Sequence, residues 1–204
     1  MRKFLLFFAL FLLACAPLQL VTPPTFVIKP VEKELPVSTA KFIGEFKVSF
    51  YWIVKEEDYS GKRTTPLYLN DGKLLGYFPY KFVRDFKIES CAQLKDGRLI
   101  SWLKNQGRAK IVDKFLGHGH FLIPLKSLAT DPTVIPLGRR VFLPSVCKVK
   151  MGEKFHSGIF YTHDIGSEII GKKIDIFLGE KENIRYFSSA NIKSGQKVDV
   201  YLLE

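Results

Sequence analysis

Asp164 and Asp175 have the residue type and the spacing for acid–base chemistry. Asp175 stands between Ile174 and Ile176 in a short apolar run. Asp164 precedes it by eleven residues, a distance that a turn containing Gly166 and a returning strand can close. An apolar strand partly desolvates a carboxylate, and two neighbouring carboxylates do not easily both ionise. Either effect keeps one of them protonated near neutral pH, as a general acid must be. The same local pattern also describes the solvent face of an ordinary strand. Val198-Asp199-Val200 repeats it, and no role is assigned to Asp199. Asp131, just before Pro132, fits a turn former. His118-Gly119-His120 puts two imidazoles on one side of an extended chain, but no third or fourth ligand accompanies them. A polar loop is therefore expected there, and no metal site. His163 adjoins Asp164, yet alternation along a strand would turn it to the opposite face.

The elements that must hold these residues are short and mostly extended. Phe46, Val48, Phe50, Trp52 and Val54 alternate with Lys47, Ser49, Tyr51 and Ile53, a period of two that marks a strand with one buried face. Residues 55–76 are charged and carry Gly61, Pro66 and Asp71-Gly72, which reads as a long loop or hairpin. The stretch 77–87 is aromatic and basic without clean periodicity, and Asp96-Gly97 signals a turn before an apolar segment at 98–103. Strand-like runs follow at 121–125, 134–135, 140–143, 158–162, 173–178 and 197–202, mostly separated by Gly or Pro. No segment shows a long helical period. Many short strands at close spacing predict a small β-barrel or sandwich.

The beginning of the chain places that domain. Arg2 and Lys3 precede an unbroken apolar run from Phe4 to Leu13, too short to span a bilayer as a helix but suited to an export signal. The run ends in Leu12-Leu13-Ala14-Cys15, which resembles the lipobox of bacterial lipoproteins. That likeness implies cleavage before Cys15 and lipidation of its sulfur. Residues 1–14 are then a signal peptide, and 15–40, with Pro17, Pro23, Pro24, Pro30 and Pro36, form an extended tether. Lys and Arg number 31 against 20 Asp and Glu, and the surplus survives loss of the signal, which favours an anionic partner. Outside the cytoplasm, nucleic acid is not the expected one. Cys91 and Cys147 suit either one bridge in an oxidising compartment or two small buried residues.

Three segments carry a family resemblance. They are Ala129-Thr130-Asp131-Pro132-Thr133-Val134-Ile135-Pro136-Leu137-Gly138, then Thr162-His163-Asp164-Ile165-Gly166-Ser167-Glu168-Ile169-Ile170-Gly171, then Lys173-Ile174-Asp175-Ile176-Phe177. Together they resemble the 3D (three-aspartate) domain, which is similar to the catalytic barrel of membrane-bound lytic transglycosylase A. The match is convincing over 120–204 and weaker over 41–119. It departs from the family pattern at Ile165, Ser167 and Glu168, where Thr, Gly and Ala are usual. The resemblance implies a mainly β fold, a double-psi β-barrel over 41–204 with loop insertions. It further implies a lytic murein transglycosylase, a lyase that cleaves the MurNAc–GlcNAc bond of peptidoglycan without water and leaves a 1,6-anhydro sugar.

Carried over residue by residue, the three aspartates fall on Asp131, Asp164 and Asp175, with Asp175 at the position of the general acid/base. Gly166, Ser167 and Glu168 become candidates for substrate binding, although Glu168 also suits plain solvent exposure. Tyr51, Trp52 and Tyr161 suit either stacking on sugar faces or burial. The implied partners are glycan strands and, through the lipid on Cys15, a membrane, with no cofactor and a monomeric protein. Ala16 and Pro17 include no acidic residue of the kind that retains some lipoproteins at the inner membrane, so the outer membrane is favoured. Two other readings are open to the same residues. One is a non-catalytic glycan-binding lipoprotein. The other is an aspartic-protease-like enzyme, suggested by Asp164-Ile165-Gly166 but lacking a second block of that type, since Asp71-Gly72 and Asp96-Gly97 are turn dipeptides. Because Cys15 lies outside the expected domain, Cys15→Ser should move the protein from membrane to soluble envelope fractions, as read by fractionation, without loss of folding.

Overall fold

The computed structural model describes residues 40–204, so the signal at 1–14, Cys15 and the tether through residue 39 lie outside the described residues. The chain enters on β1 (Ala40–Tyr51). It then leaves for an inserted lobe made of β2 (Val54–Lys55), β3 (Arg63–Tyr68), β4 (Leu74–Pro79), α1 (Tyr80–Glu89), β5 (Cys91–Gln93), β6 (Leu99–Leu103) and β7 (Arg108–Val112). It returns through β8 (Ser127–Thr130), β9 (Arg140–Phe142), a small hairpin of β10 (Lys150–Met151) and β11 (Lys154–Phe155), and β12 (Ile159–Asp164). The chain finishes with β13 (Lys173–Phe177), α2 (Ile184–Ser189) and β14 (Lys197–Leu203).

Six of these strands close into a barrel in the order β1-β13-β8-β12-β9-β14. The pairs β1–β13 and β8–β12 are parallel and the other four antiparallel. This is the closed β-barrel that the family resemblance implies. Period-two alternation fills it: Phe46, Val48 and Phe50 of β1, Leu128 of β8, Phe160 of β12, Ile174 and Ile176 of β13 and Val198 and Val200 of β14 meet in one core. The residues between them, including Lys47, Ser49 and Asp175, therefore stand on the outside of the barrel. Long β1 pairs with β14 along its first part and with β13 along its second. A shift between Phe42 and Gly44, whose φ of 122° few other residues adopt, bends it within the part paired with β14.

The inserted lobe has its own core. A sheet ordered β2-β5-β6-β7 and the β3–β4 hairpin pack with α1, burying Phe82, Val83 and Phe86 of the helix against Leu67, Phe78, Ala92 and Ile100. The stretch 77–87 thus holds a helix where the sequence showed no period. Its buried stripe is regular, but Tyr80 and Ile88 are apolar and exposed, which blurs the pattern. Ser90 ends α1 in the left-handed conformation at φ 64°, its N–H bonding back to the Phe86 carbonyl.

Other differences are smaller. Residues 121–125 and 134–135 form no strand, while β8, four residues buried throughout, shows no alternation to betray it. Cys91 is buried and Cys147 half-buried, and both are free thiols. Phe82 has no exposed surface and touches the rings of Tyr59, Phe78 and Phe86. Phe82→Ala should cost about 3–5 kcal/mol of stability, measured by urea unfolding, because the aromatic neighbours cannot close the gap.

Candidate active site

The site is built on the outer face of the barrel by strand register. Ser49 of β1 lies opposite Asp175 of β13, Asp175 lies opposite Ala129 of β8, and Ala129 lies opposite Asp164 of β12. Directly opposed residues point the same way, so these four side chains form one row across four adjacent strands. The two carboxylates flank a single intervening strand, roughly 10 Å apart at their Cα atoms from ordinary strand spacing. Ala129 between them is buried and presents only a methyl group, leaving the space over it open to both.

A β-bulge puts Asp164 in that row. The pairing of β12 with β8 slips between Thr162 and Asp164, so His163 is an extra residue with no partner of its own. Both bulge residues consequently emerge on the outer side. His163 Nδ1 lies 2.8 Å from Ser127 Oγ, while Asp164 Oδ2 accepts a 3.1 Å hydrogen bond from the Tyr51 hydroxyl. The expectation that alternation would turn His163 away from Asp164 fails for this reason. His163 instead stacks between Tyr161 and His120, at 5.3 and 4.9 Å. The loop bearing His118 packs on the bulge through Gly117, where a Cβ would run into the His163 carbonyl and the Asp164 side chain.

A cleft of about 570 Å³ opens over the row. Barrel residues Ser49, Tyr51, Asp164 and Asp175 line one side, and Lys87, Glu89, Ser90 and Lys104 of the inserted lobe line the other. Burial is the main force on its acids. It raises the Asp175 carboxyl to about 6; Ser49 pulls the other way, and the Asp164 charge adds to the rise. The Ser49 hydroxyl has only a weak 3.4 Å contact to the Ile174 carbonyl, which leaves it available to Asp175. Asp175 Oδ1 is enclosed and receives no hydrogen bond from the protein. Burial also raises Asp164, against the hydrogen bonds it accepts from the Ile165 N–H and Tyr51. Tyr51 is itself raised well above its usual value, chiefly by burial, and stays a neutral donor.

The sequence reading overlooked Glu89. It ends α1, accepts the Trp52 N–H at 3.3 Å, and reaches about 7 through burial, with Asp175 adding to the rise. No local pattern marks it, because only the fold of the lobe brings it to the cleft.

The remaining predicted residues divide. Gly166, Ser167 and Glu168 all line the cleft. Gly166 does not need its special backbone angles there, since its φ is not positive; it is small because a Cβ would collide with Ile169. Ser167 accepts a 3.0 Å hydrogen bond from Lys104 across the cleft, and Glu168 is exposed. Asp131 is not among the lining residues. Its Oδ1 accepts the Thr133 N–H and hydroxyl at 2.9 and 2.6 Å, its Oδ2 accepts the Gly171 N–H at 2.7 Å, and these bonds hold its carboxyl below the usual range. It ties the turn after β8 to the far end of the loop that carries residues 165–170.

All three aspartates fall within 126–204, the stretch that matches the model of the 3D domain. Residues 126–204 are a 3D domain. No curated protein matches the sequence. Among solved structures, that of E. coli MltA with bound chitohexaose is similar at a TM-score of 0.55 and 12% identity, covering 79% of this chain and 72% of that one. The membrane-bound lytic murein transglycosylase of Agrobacterium tumefaciens is similar at 0.53 and 11% identity, covering 81% and 77%. At such identities the likeness establishes a shared fold.

The 3D domain contributes every barrel strand except β1, while β1 and the inserted lobe supply Ser49, Tyr51 and Glu89 to the cleft. Holding Asp175 near 6 has a cost with a defined sign. Between the ordinary carboxylate value of 3.8 and about 6 the folded chain keeps a proton that the unfolded chain has lost. The group's contribution to stability is therefore full below about pH 4 and declines as pH rises towards 6. Asp175→Asn should raise stability by about 2 kcal/mol at pH 8 and by much less at pH 4, read from denaturant midpoints at the two values.

Proposed function

We propose that this chain is a lytic transglycosylase of peptidoglycan, cleaving the MurNAc–GlcNAc bond and leaving a 1,6-anhydro product. The observation that carries the reading is Asp175, a carboxyl raised to about 6, with an enclosed oxygen free of protein donors, beside a cleft large enough for sugar rings. The shared fold with MltA and the Agrobacterium enzyme supports it. The aspartic-protease reading finds no second Asp-x-Gly among the residues lining this cleft.

Glycoside cleavage ordinarily uses two carboxylates, one of which activates water or attacks the sugar. The anhydro product needs only one. Protonated Asp175 gives its proton to the glycosidic oxygen as the bond to the MurNAc anomeric carbon breaks. The C6 hydroxyl of the same MurNAc then bonds to that carbon, and its proton returns to Asp175. No water is consumed, and the acid is regenerated for the next turnover. Asp164, steadied by Tyr51 and the Ile165 N–H, supplies negative charge near the cationic transition state and helps keep Asp175 protonated. Asp131 acts through the loop it ties and does not touch the sugar.

Among the described residues no helix is long and apolar enough to cross a membrane. A lipid on Cys15 would hold the monomeric enzyme to the envelope, at the outer membrane, with the cleft reaching the wall on its proline-rich tether.

The direct test is release of anhydro-muropeptides from purified sacculi, with kcat/KM followed against pH. Asp175 must carry its proton, so activity should decline above about pH 6. Asp175→Asn should lose about a hundred- to ten-thousand-fold while still pulling down with sacculi. Asp164→Asn should move the alkaline limb to lower pH, because a neighbouring negative charge is gone. Asp199→Asn should change little. Near-normal anhydro product from Asp175→Asn would leave a glycan-binding module as the function.

A further inference from the structure

A second row of side chains runs around the half of the barrel that the carboxyl row leaves free, and it is apolar. Phe42 of β1 lies opposite Tyr201 of β14, Tyr201 opposite Phe142 of β9, and Phe142 opposite Ile159 of β12. A bulge brings Phe42 into it. Ile43 is the unpaired extra residue, so Phe42 turns outward where strict alternation with Phe46 and Val48 would have pointed it into the core. Its side chain is 52% exposed. The Phe42 and Tyr201 rings lie 5.1 Å apart, and those of Tyr201 and Phe142 6.4 Å apart.

Cations border this row. Lys41 adjoins Phe42, and Arg140 lies opposite Leu203 one step along the same face. Exposed Lys148, Lys150 and Lys154 belong to the β10–β11 hairpin and its approach, together with Phe155, which is 62% exposed. That hairpin is rooted beside the row, since Gly158 packs on the Phe142 ring too closely to admit a Cβ. Among the described residues none of the four lysines is in an ion pair. Arg140 Nη2 donates to the main-chain oxygen of Glu204 at 3.2 Å. Glu153 and Glu204 offset only part of this positive charge.

Exposed aromatic rings bordered by unpaired lysines suit lipid better than protein. Lysine is depleted where proteins pack on one another, whereas faces that lie on bilayers combine aromatic rings with Lys and Arg. The path of the chain agrees. Residues 15–39 join the barrel at Ala40, opposite Leu203 and beside Phe42. They lead back to the lipid proposed on Cys15. We infer that this face of the barrel rests on an anionic lipid surface. The lysines meet the headgroups, and Phe42, Tyr201 and Phe155 enter the boundary beneath them. A tether raises the local concentration of the face to about millimolar, so a weak, reversible contact suffices and Cys15→Ser still releases the protein. The carboxyl row shares only β1 and β12 with the apolar one, which turns the cleft away from the bilayer. None of the residues invoked lines the cleft, so the inference stands independently of the transglycosylase reading.

The experiment uses residues 15–204 with Cys15→Ser, the mature length without its lipid. The probes are vesicles of phosphatidylcholine alone or with about one-third phosphatidylglycerol. Co-sedimentation should show binding about tenfold or more tighter to the anionic vesicles, with the advantage lost as salt is added. Lys150→Gln with Lys154→Gln should weaken it about tenfold or more, at roughly fivefold for each charge removed from the surface. Phe42→Ser with Phe155→Ser should weaken it about tenfold, because apolar area no longer enters the boundary. Lys81→Gln with Lys110→Gln, exposed on the inserted lobe, removes the same charge and should change binding by less than about twofold. All six substituted side chains are exposed, so the fold is kept. Equal weakening by the lobe pair and the hairpin pair would overturn the inference, because overall charge would then explain the binding. Absence of vesicle binding would overturn it too. Self-association abolished by Phe42→Ser would in that case assign the face to a second copy of the chain.

Discussion

Strand register is the constraint on which the rest of this molecule depends. Ser49, Asp175, Ala129 and Asp164 are aligned only because three separate pairings hold their partners to the residue. A slip of one position in β13 would carry Asp175 into the apolar interior and bring Ile174 or Ile176 to the cleft. The register is protected by what lies on the other face. Ile174, Ile176, Leu128 and Phe160 fill the barrel core, and exposing that set would cost far more than any adjustment at the site could return. Chemistry on the outside is thus held in place by hydrophobicity on the inside.

The inserted lobe turns that aligned row into an unusual dielectric environment. Acids on the outer wall of a barrel would ordinarily be solvated and ionised. Here the end of α1 and the residues after it cover them, so burial dominates the behaviour of Asp175, Asp164 and Glu89 alike. Acids sharing one covered space do not all carry charge cheaply: the Asp164 charge helps hold a proton on Asp175, and the Asp175 charge helps hold one on Glu89. Tyr51 singles out Asp164 by donating to it, and so separates two otherwise similar carboxyls into different environments.

Much of this was legible in the sequence where period two operates. The alternation in β1, the runs at 158–162, 173–178 and 197–202, and the aspartate blocks led to a barrel that brings Asp164 and Asp175 near each other. What alternation could not reveal was where it breaks. The bulge at His163 leaves no mark in residue type, yet it decides that Asp164 and His163 share a face. Gly166 was read as part of a turn and a contact for substrate, and its lack of a side chain proves to make room for Ile169. Helix α1 was hidden by apolar Tyr80 and Ile88 on its wet side. Glu89 was invisible because its position is set by tertiary packing of a lobe whose own sequence likeness is weak.

The parallel pairing of β1 with β13 joins residues at opposite ends of the described chain, Lys47 with Lys173 and Tyr51 with Phe177, and β14 closes the barrel against that same first strand. Contacts so distant in sequence form late, because the whole intervening chain must be ordered before they are rewarded. During synthesis the inserted lobe can condense early around its own aromatic core, while β1 waits with one edge open. Neither the aligned carboxyls nor the cleft over them exists until β13 and β14 have emerged and docked. The site is therefore absent from the nascent chain, and it comes into being only with the final closure of the barrel.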